Sequence, residues 1–118
     1  MLDITQQIRE IVQGESVFSG LCVVFVPHTT AGVTVNENAD PDVQRDMLLG
    51  LTEMIPKENY KHFEHNSPAH MLSTLVGCSQ TLLIENRDLV LGRWQAVYFC
   101  EFDGPKKREV KIQVLGGT

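Results

Sequence analysis

"LCVVFVPHTTAGVTVNE", residues 21 to 37, is the stretch on which the reading of the fold turns. Leu21 to Val26 is an unbroken apolar run rich in valine, as expected of a strand covered on both faces. Gly32 to Glu37 alternates instead, in the manner of a half-buried strand. Between them lies a corner of His28, Thr29, Thr30 and Ala31, and the two strands are expected to pair around it. The corner and the segment after it crowd one His, three Thr, two Asn, one Glu and two Asp into residues 28 to 42, where a buried strand gives way to a turn.

Helices are expected on either side. Thr5 is placed to cap a first helix with Ile8, Ile11 and Val12 on one face and Gly14 at its end. Asp40-Pro41 starts a second: Asp accepts from free N–H groups of the first turn, and Pro at the first helical position loses nothing there. Val43, Met47, Leu51 and Met54 follow at helical spacing and are expected to face inward. After Pro56 and the polar loop "KENYKHFEHN", Ser67-Pro68 repeats the start signal. Met71, Leu72, Leu75 and Val76 are then inward and Gly77 terminates.

From Gln80 the period becomes strand-like: "TLLIE", "LVLG", "RWQAVYFCEF" and "REVKIQVL", separated by the turns "NRD" and "DGPKK". Two hairpins in series predict an antiparallel meander. In the long strand Gln95 and Glu101 share a face with Val97 and Phe99, which marks an interface or pocket rim, since a lone buried carboxylate is costly.

The 118 residues suffice for one domain, 1–118, with a core of its own, and 42% hydrophobic with 21% charged residues is an ordinary globular composition. No internal repeat or linker divides the chain, so helices and strands share a core as an α+β domain. The net charge of -5 argues against a general nucleic-acid binder, "PKKR" at 105 to 108 being a local exception. The longest apolar run is far too short to span a bilayer and the N-terminus lacks a secretory pattern, so a cytoplasmic protein is expected. Cys22, Cys78 and Cys100 have no CxxC spacing and read as reduced packing residues.

The histidines are His28, His62, His65 and His70, three of them within nine residues. Without an HxH or HExxH pair, any metal site has to be assembled by folding. His70 falls in the first turn of a helix, whose free N–H groups suit a phosphate or carboxylate, so it serves as ligand, acid-base group, anion's neighbour or plain packing residue. His28 directly follows a buried strand, where a rigid scaffold holds a side chain in place.

Taken together, "HTTAGVTVNENADPDVQRDM", "YKHFEHNSPAHMLSTLVG" and "LGRWQAVYFCEFDGPKKREV" resemble, in order and spacing, the motifs of the YjbQ family, also labelled secondary thiamine-phosphate synthase. The resemblance implies a compact two-layer antiparallel β-sandwich flanked by helices, assembled as a homotrimer, with a polar pocket near a subunit interface. It implies a pocket wall of His28, Thr29, Thr30, Asn36, Glu37, His62 and His70, and an activity that joins a pyrimidine diphosphate to a thiazole phosphate with release of pyrophosphate. On that reading His28, Glu37 and His70 are catalytic. A divalent metal, zinc or magnesium, is held by His28, His62 and His70, and Thr29, Thr30, Asn36, Lys106, Lys107 and Arg108 bind the phosphorylated ligand, the basic residues from a neighbouring subunit. The alternative is a trimeric metal- or metabolite-binding module without catalysis. Four departures stand out: an extra strand usually precedes the "DIT" segment, His65 replaces a usual Gly, Leu72 a frequent Lys, and Asn86-Arg87 a Gly-containing turn.

Overall fold

The computed structural model describes residues 1–117, and in it two antiparallel sheets share the strands. In chain order the elements are β1 (Leu2–Asp3), α1 (Thr5–Gly14), β2 (Gly20–Phe25), β3 (Ala31–Glu37), α2 (Pro41–Glu53), α3 (Ser67–Val76), β4 (Ser79–Glu85), β5 (Asp88–Leu89), β6 (Gln95–Glu101) and β7 (Lys111–Gly116). One sheet has the order β1-β6-β3 and the other β5-β4-β2-β7. The α+β class is therefore as expected from the pattern of elements, and the two antiparallel sheets are as the family resemblance implies.

The pairing differs from the sequence-based expectation in two places. β2 and β3 do not pair: both edges of β2 are taken, by β4 and β7, while β3 pairs with β6. The 26–30 corner is thus an arch from one sheet to the other, anchored where Val26 N–H donates to Cys78 O at 2.8 Å. Nor do the last strands form a meander. Only β4 and β5 make a hairpin, whereas β6 crosses to the three-stranded sheet and β7 returns to lie beside β2. Alternation reports which residues are covered, and a strand's partner is a long-range choice that alternation does not encode.

The main core lies between the sheets. Cys22, Val24 and Val26 meet Val33, Val97 and Phe99 there, closed at one side by Ile8 and Val12 of α1. Ile11, expected on the same helix face, is 43% exposed. Thr5 is buried but caps nothing: its N–H donates to Asp3 Oδ1, and its hydroxyl accepts from Val97 N–H at 2.9 Å. The opposite face of β6, with Ala96, Tyr98 and Cys100, packs under Val76 of α3. Burial raises the thiol pKa of Cys22 and of Cys100, as befits inert packing cysteines.

α3 lies close on β3 because Gly32 has no side chain. A Cβ there would stand 2.6 Å from Gly77 O, the atom that accepts from Val33 N–H. Ser73 Oγ donates to Ala31 O at 2.6 Å, and Gly77, at φ +95°, ends the helix as expected. Ala69, Leu72 and Ser73 are buried, whereas Leu75 is half-exposed. α2 starts as expected, with Asp40 Oδ1 accepting from Asp42 N–H and Pro41 in the first turn. Its expected inward face is only half-covered: Val43, Met47 and Leu51 are half-buried, no residue of α2 is buried, and Met54 is 63% exposed. Gln44 Nε2 ties the helix to the sheet by donating to Tyr98 Oη at 2.6 Å.

Candidate functional site

The arch at 27–30, the loop before α3 and the segment between β6 and β7 converge on a cleft of about 400 Å³. Its walls carry His28, Thr29 and Thr30 from the arch, His62, Glu64 and Asn66 from the loop, His70 from α3, and Lys106 and Arg108 from the last connection. His28 and His70 also line an adjoining cleft that reaches Ser73 and Cys78. The ring planes of His62 and His70 meet edge to face with centroids 5.4 Å apart.

Local structure explains each placement. Thr30 is buried at the start of β3, and its carbonyl accepts from Phe102 N–H. Arg108 is the clamp of the cleft floor: Nε and Nη2 donate to the two carboxylate oxygens of Glu101, at 2.8 and 2.5 Å, and Nη2 also reaches Thr30 O and Oγ1. Such a fork holds both partners in one orientation. The Arg108 hydrogen bonds hold the Glu101 carboxyl below the usual carboxylate range and raise Arg108 in turn. Lys106 pairs with Asp103, which also accepts from Asn66 Nδ2 at 2.8 Å, and those two bonds lower the Asp103 pKa, that of Lys106 most. Both cations of the wall are therefore matched by carboxylates before any ligand enters.

His28 is held by its Nε2, which accepts from Glu109 N–H at 2.9 Å. The ring's proton then sits on Nδ1, leaving His28 a hydrogen-bond donor. That geometry bears on the metal expectation. Among the described residues no three His, Cys, Asp or Glu side chains are grouped to hold an ion, and His28 spends its acceptor on the backbone. The three histidines share a cleft but are not grouped as a ligand set within one chain.

The structure brings together His28, Thr29, Thr30, His62, His70, Lys106 and Arg108 of the expected set. It does not bring Asn36 and Glu37 to them. These stand at the far end of β3, about 20 Å from the arch at roughly 3.3 Å per residue. There Asn36 Oδ1 accepts from Glu37 N–H, and Glu37 O accepts from Tyr98 Oη. Lys107 is exposed and is not among the lining residues, while Lys106 and Arg108 enter the cleft from the same chain as the histidines. His65 turns the loop at φ +61°, a region that favours glycine, without lining the cleft. Leu72 is buried and borders an apolar cleft with Ile55 and Pro68.

Sequence reasoning missed Glu64, Asn66 and Asp103. Asn66 precedes the Ser67-Pro68 helix start and Asp103 opens the "DGPKK" turn, so both carried a turn-former signal that concealed their hydrogen bond to one another. Asn66 Oδ1, the other end of that amide, is buried without a hydrogen-bond partner among the described residues.

Two sheets closed over one core, with a histidine-lined cleft at the arch between them, define a class as well as a geometry. A family described as "UPF0047 protein YjbQ-like" matches residues 1–117, and the chain belongs to that family. It is 48% identical over 118 residues to UPF0047 protein YugU of Bacillus subtilis, covering 98% of this chain and 89% of the relative. A UPF0047 protein of Methanocaldococcus jannaschii is likewise 48% identical, over 117 residues, covering 98% of this chain and 85% of that one. The crystal structure of an uncharacterised conserved protein of the YjbQ/UPF0047 family from Clostridium acetobutylicum superposes with a TM-score of 0.93 at 50% identity, covering 97% of this chain and 89% of the other.

Proposed function

We propose that the histidine cleft is the active site of an enzyme acting on a phosphorylated small molecule. The observation that carries this reading is the convergence of three imidazoles, two threonines and two basic side chains on one cleft of about 400 Å³, a size suited to small molecules. The Nδ1–H of His28 and the hydroxyl of Thr29 offer donors to phosphate oxygens, and Lys106 and the remaining Nη1 of Arg108 offer charge. The paired rings of His62 and His70 are the groups able to pass a proton to a departing oxygen.

The concrete form of the proposal is a thiamine-phosphate synthase-like transfer. The electron pair of the thiazole nitrogen forms the new bond to the pyrimidine methylene carbon. The C–O bond to the diphosphate breaks with its pair staying on the oxygen, and pyrophosphate leaves toward the donors of His28, Thr29, Lys106 and Arg108. A zinc or magnesium ion would neutralise that leaving group. His62 and His70 are the ligands the chain offers it, with the remaining positions filled by the ligand or a second copy. Glu37 joins such a site only if a neighbouring copy presents it.

The proposed assembly is a homotrimer. The radius of gyration of 15.8 Å exceeds the roughly 13–14 Å of a compact chain of this length, and α2 has no buried residue. Leu21, Phe25, Leu83 and Leu115 also leave an apolar stripe on the outer face of the four-stranded sheet. Among the described residues no helix is long and apolar enough to cross a membrane. The proposed location is the cytoplasm, a reducing compartment in keeping with the free Cys22, Cys78 and Cys100.

Turnover of the two precursors by the purified protein, measured as thiamine phosphate formed, tests the reading. The expected result is activity that falls on the order of 10²–10⁴-fold in His70→Ala while oligomer and fold persist. Saturable binding of both precursors without product would instead show a binding module, and the catalytic proposal would be withdrawn.

A further inference from the structure

A second cleft, of about 640 Å³, opens at the other end of the three-stranded sheet from the histidines. It lies at the Gln95 end of β6, about 20 Å of strand away from Glu101, and none of its lining residues is shared with the histidine cleft. Its chemistry also differs. Leu91 is the one large apolar side chain in a wall whose polar groups include Asp3, Gln6, Arg9, Asn38, Arg93 and Gln95.

Two guanidinium groups face this space with donors to spare. Arg9 spends its Nε on Asp88 at 3.1 Å, and among the described residues its two terminal nitrogens have no acceptor. Arg93 has no carboxylate partner among them: its guanidinium lies 4.7 Å from the ring centroid of Trp94, and a stacked guanidinium keeps its in-plane N–H edge free. The loop between them is already set, since Gln95 Oε1 accepts from Gly92 N–H at 2.7 Å and Gln95 N–H returns to Gly92 O at 3.0 Å. Asp3 accepts from Thr5 N–H through Oδ1, which leaves Oδ2 as an acceptor on the cleft wall. Side-chain amides of Asn38 and Gln95 complete a mixed set of donors and acceptors.

We propose that this cleft binds a phosphorylated sugar. Arg93 and the terminal nitrogens of Arg9 take the phosphate, as planar donor forks do. Asp3, which accepts, and the side-chain amides of Asn38 and Gln95, which carry both donors and an acceptor, take the hydroxyls. An aromatic or aliphatic body finds only Leu91. Asp3 on the wall and Asp88 behind Arg9 offset the two guanidiniums in formal charge, so an anion without hydroxyls gains less here than a ligand that uses both halves of the wall.

Titration of the intact, isotope-labelled protein with ribose 5-phosphate, followed by amide chemical shifts, reads the site directly. Saturable shifts are expected at Asp3, Arg9, Asn38, Gly92 and Gln95, with ribose and inorganic phosphate each binding at least tenfold more weakly. Arg93→Gln, at an exposed position, should weaken ribose 5-phosphate at least tenfold and leave signals outside the cleft in place. Equal binding of phosphate alone, shifts confined to the histidine cleft, or an Arg93→Gln protein that titrates like the parent would each overturn the proposal.

Discussion

Arg108 shows how one side chain serves both fold and site. Its fork on Glu101 and its reach to Thr30 join β6, the arch and the last connection, with side chains only 11% and 29% exposed. The Glu101 pKa is lower folded than unfolded, so the pair's contribution is fully present above the ordinary glutamate value of about 4.3 and is lost as pH falls through the native value. Glu101→Gln is expected to cost about 1.5–3 kcal/mol at neutral pH and to flatten the decline of stability between about pH 5 and 3. Urea unfolding across that range checks it, and an unchanged acid slope would show that another carboxylate governs acid stability. At this scale the sequence was partly legible. A carboxylate on the apolar face of a strand announced a partner or a rim, yet Arg108 sits seven residues on, across a turn, and nothing local couples the two. The Nδ1 tautomer of His28 was wholly hidden, because a backbone N–H from residue 109 sets it.

Among the elements, the β4–β5 hairpin is the place where sequence and backbone disagree. Asn86 and Arg87 form a two-residue loop with φ of 51° and 66°, the pattern that favours Asn followed by Gly. Arg87 bears the cost of the left-handed conformation, and its Nη2 contacts to Gln13 and Ser16 are long, at 3.4 Å. Arg87→Gly is therefore expected to stabilise the protein by about 0.5–1 kcal/mol, read as a higher urea midpoint at fixed protein concentration. A lower midpoint would mean that those contacts outweigh the backbone relief. The starts of α2 and α3 and the stop at Gly77 were legible because they are local, acting within a turn of chain, whereas Thr5, expected as a cap, lies inside α1 and caps nothing. Strand partners were not. The arch after Val26 has the length of a hairpin loop, but both edges of β2 were already occupied by strands more than fifty residues away.

For the whole molecule, family and two-sheet architecture were readable from three motifs in order, while the site was readable only in part. His28, His62 and His70 do meet, and the strand that starts next to His28 carries Glu37 away from them to the end of the sheet. The amphipathic α2 was legible in its spacing but not in its depth, since Val43, Met47 and Leu51 are half-buried and none is buried. The central claim is that the arch cleft receives phosphate groups. It is tested most directly by titrating the protein with inorganic pyrophosphate while observing the histidine ring signals. The account predicts that His28, His62 and His70 shift together and saturably while His65, outside the cleft lining, stays in place. Histidine signals unmoved by pyrophosphate, or movement of His65 alone, would contradict it.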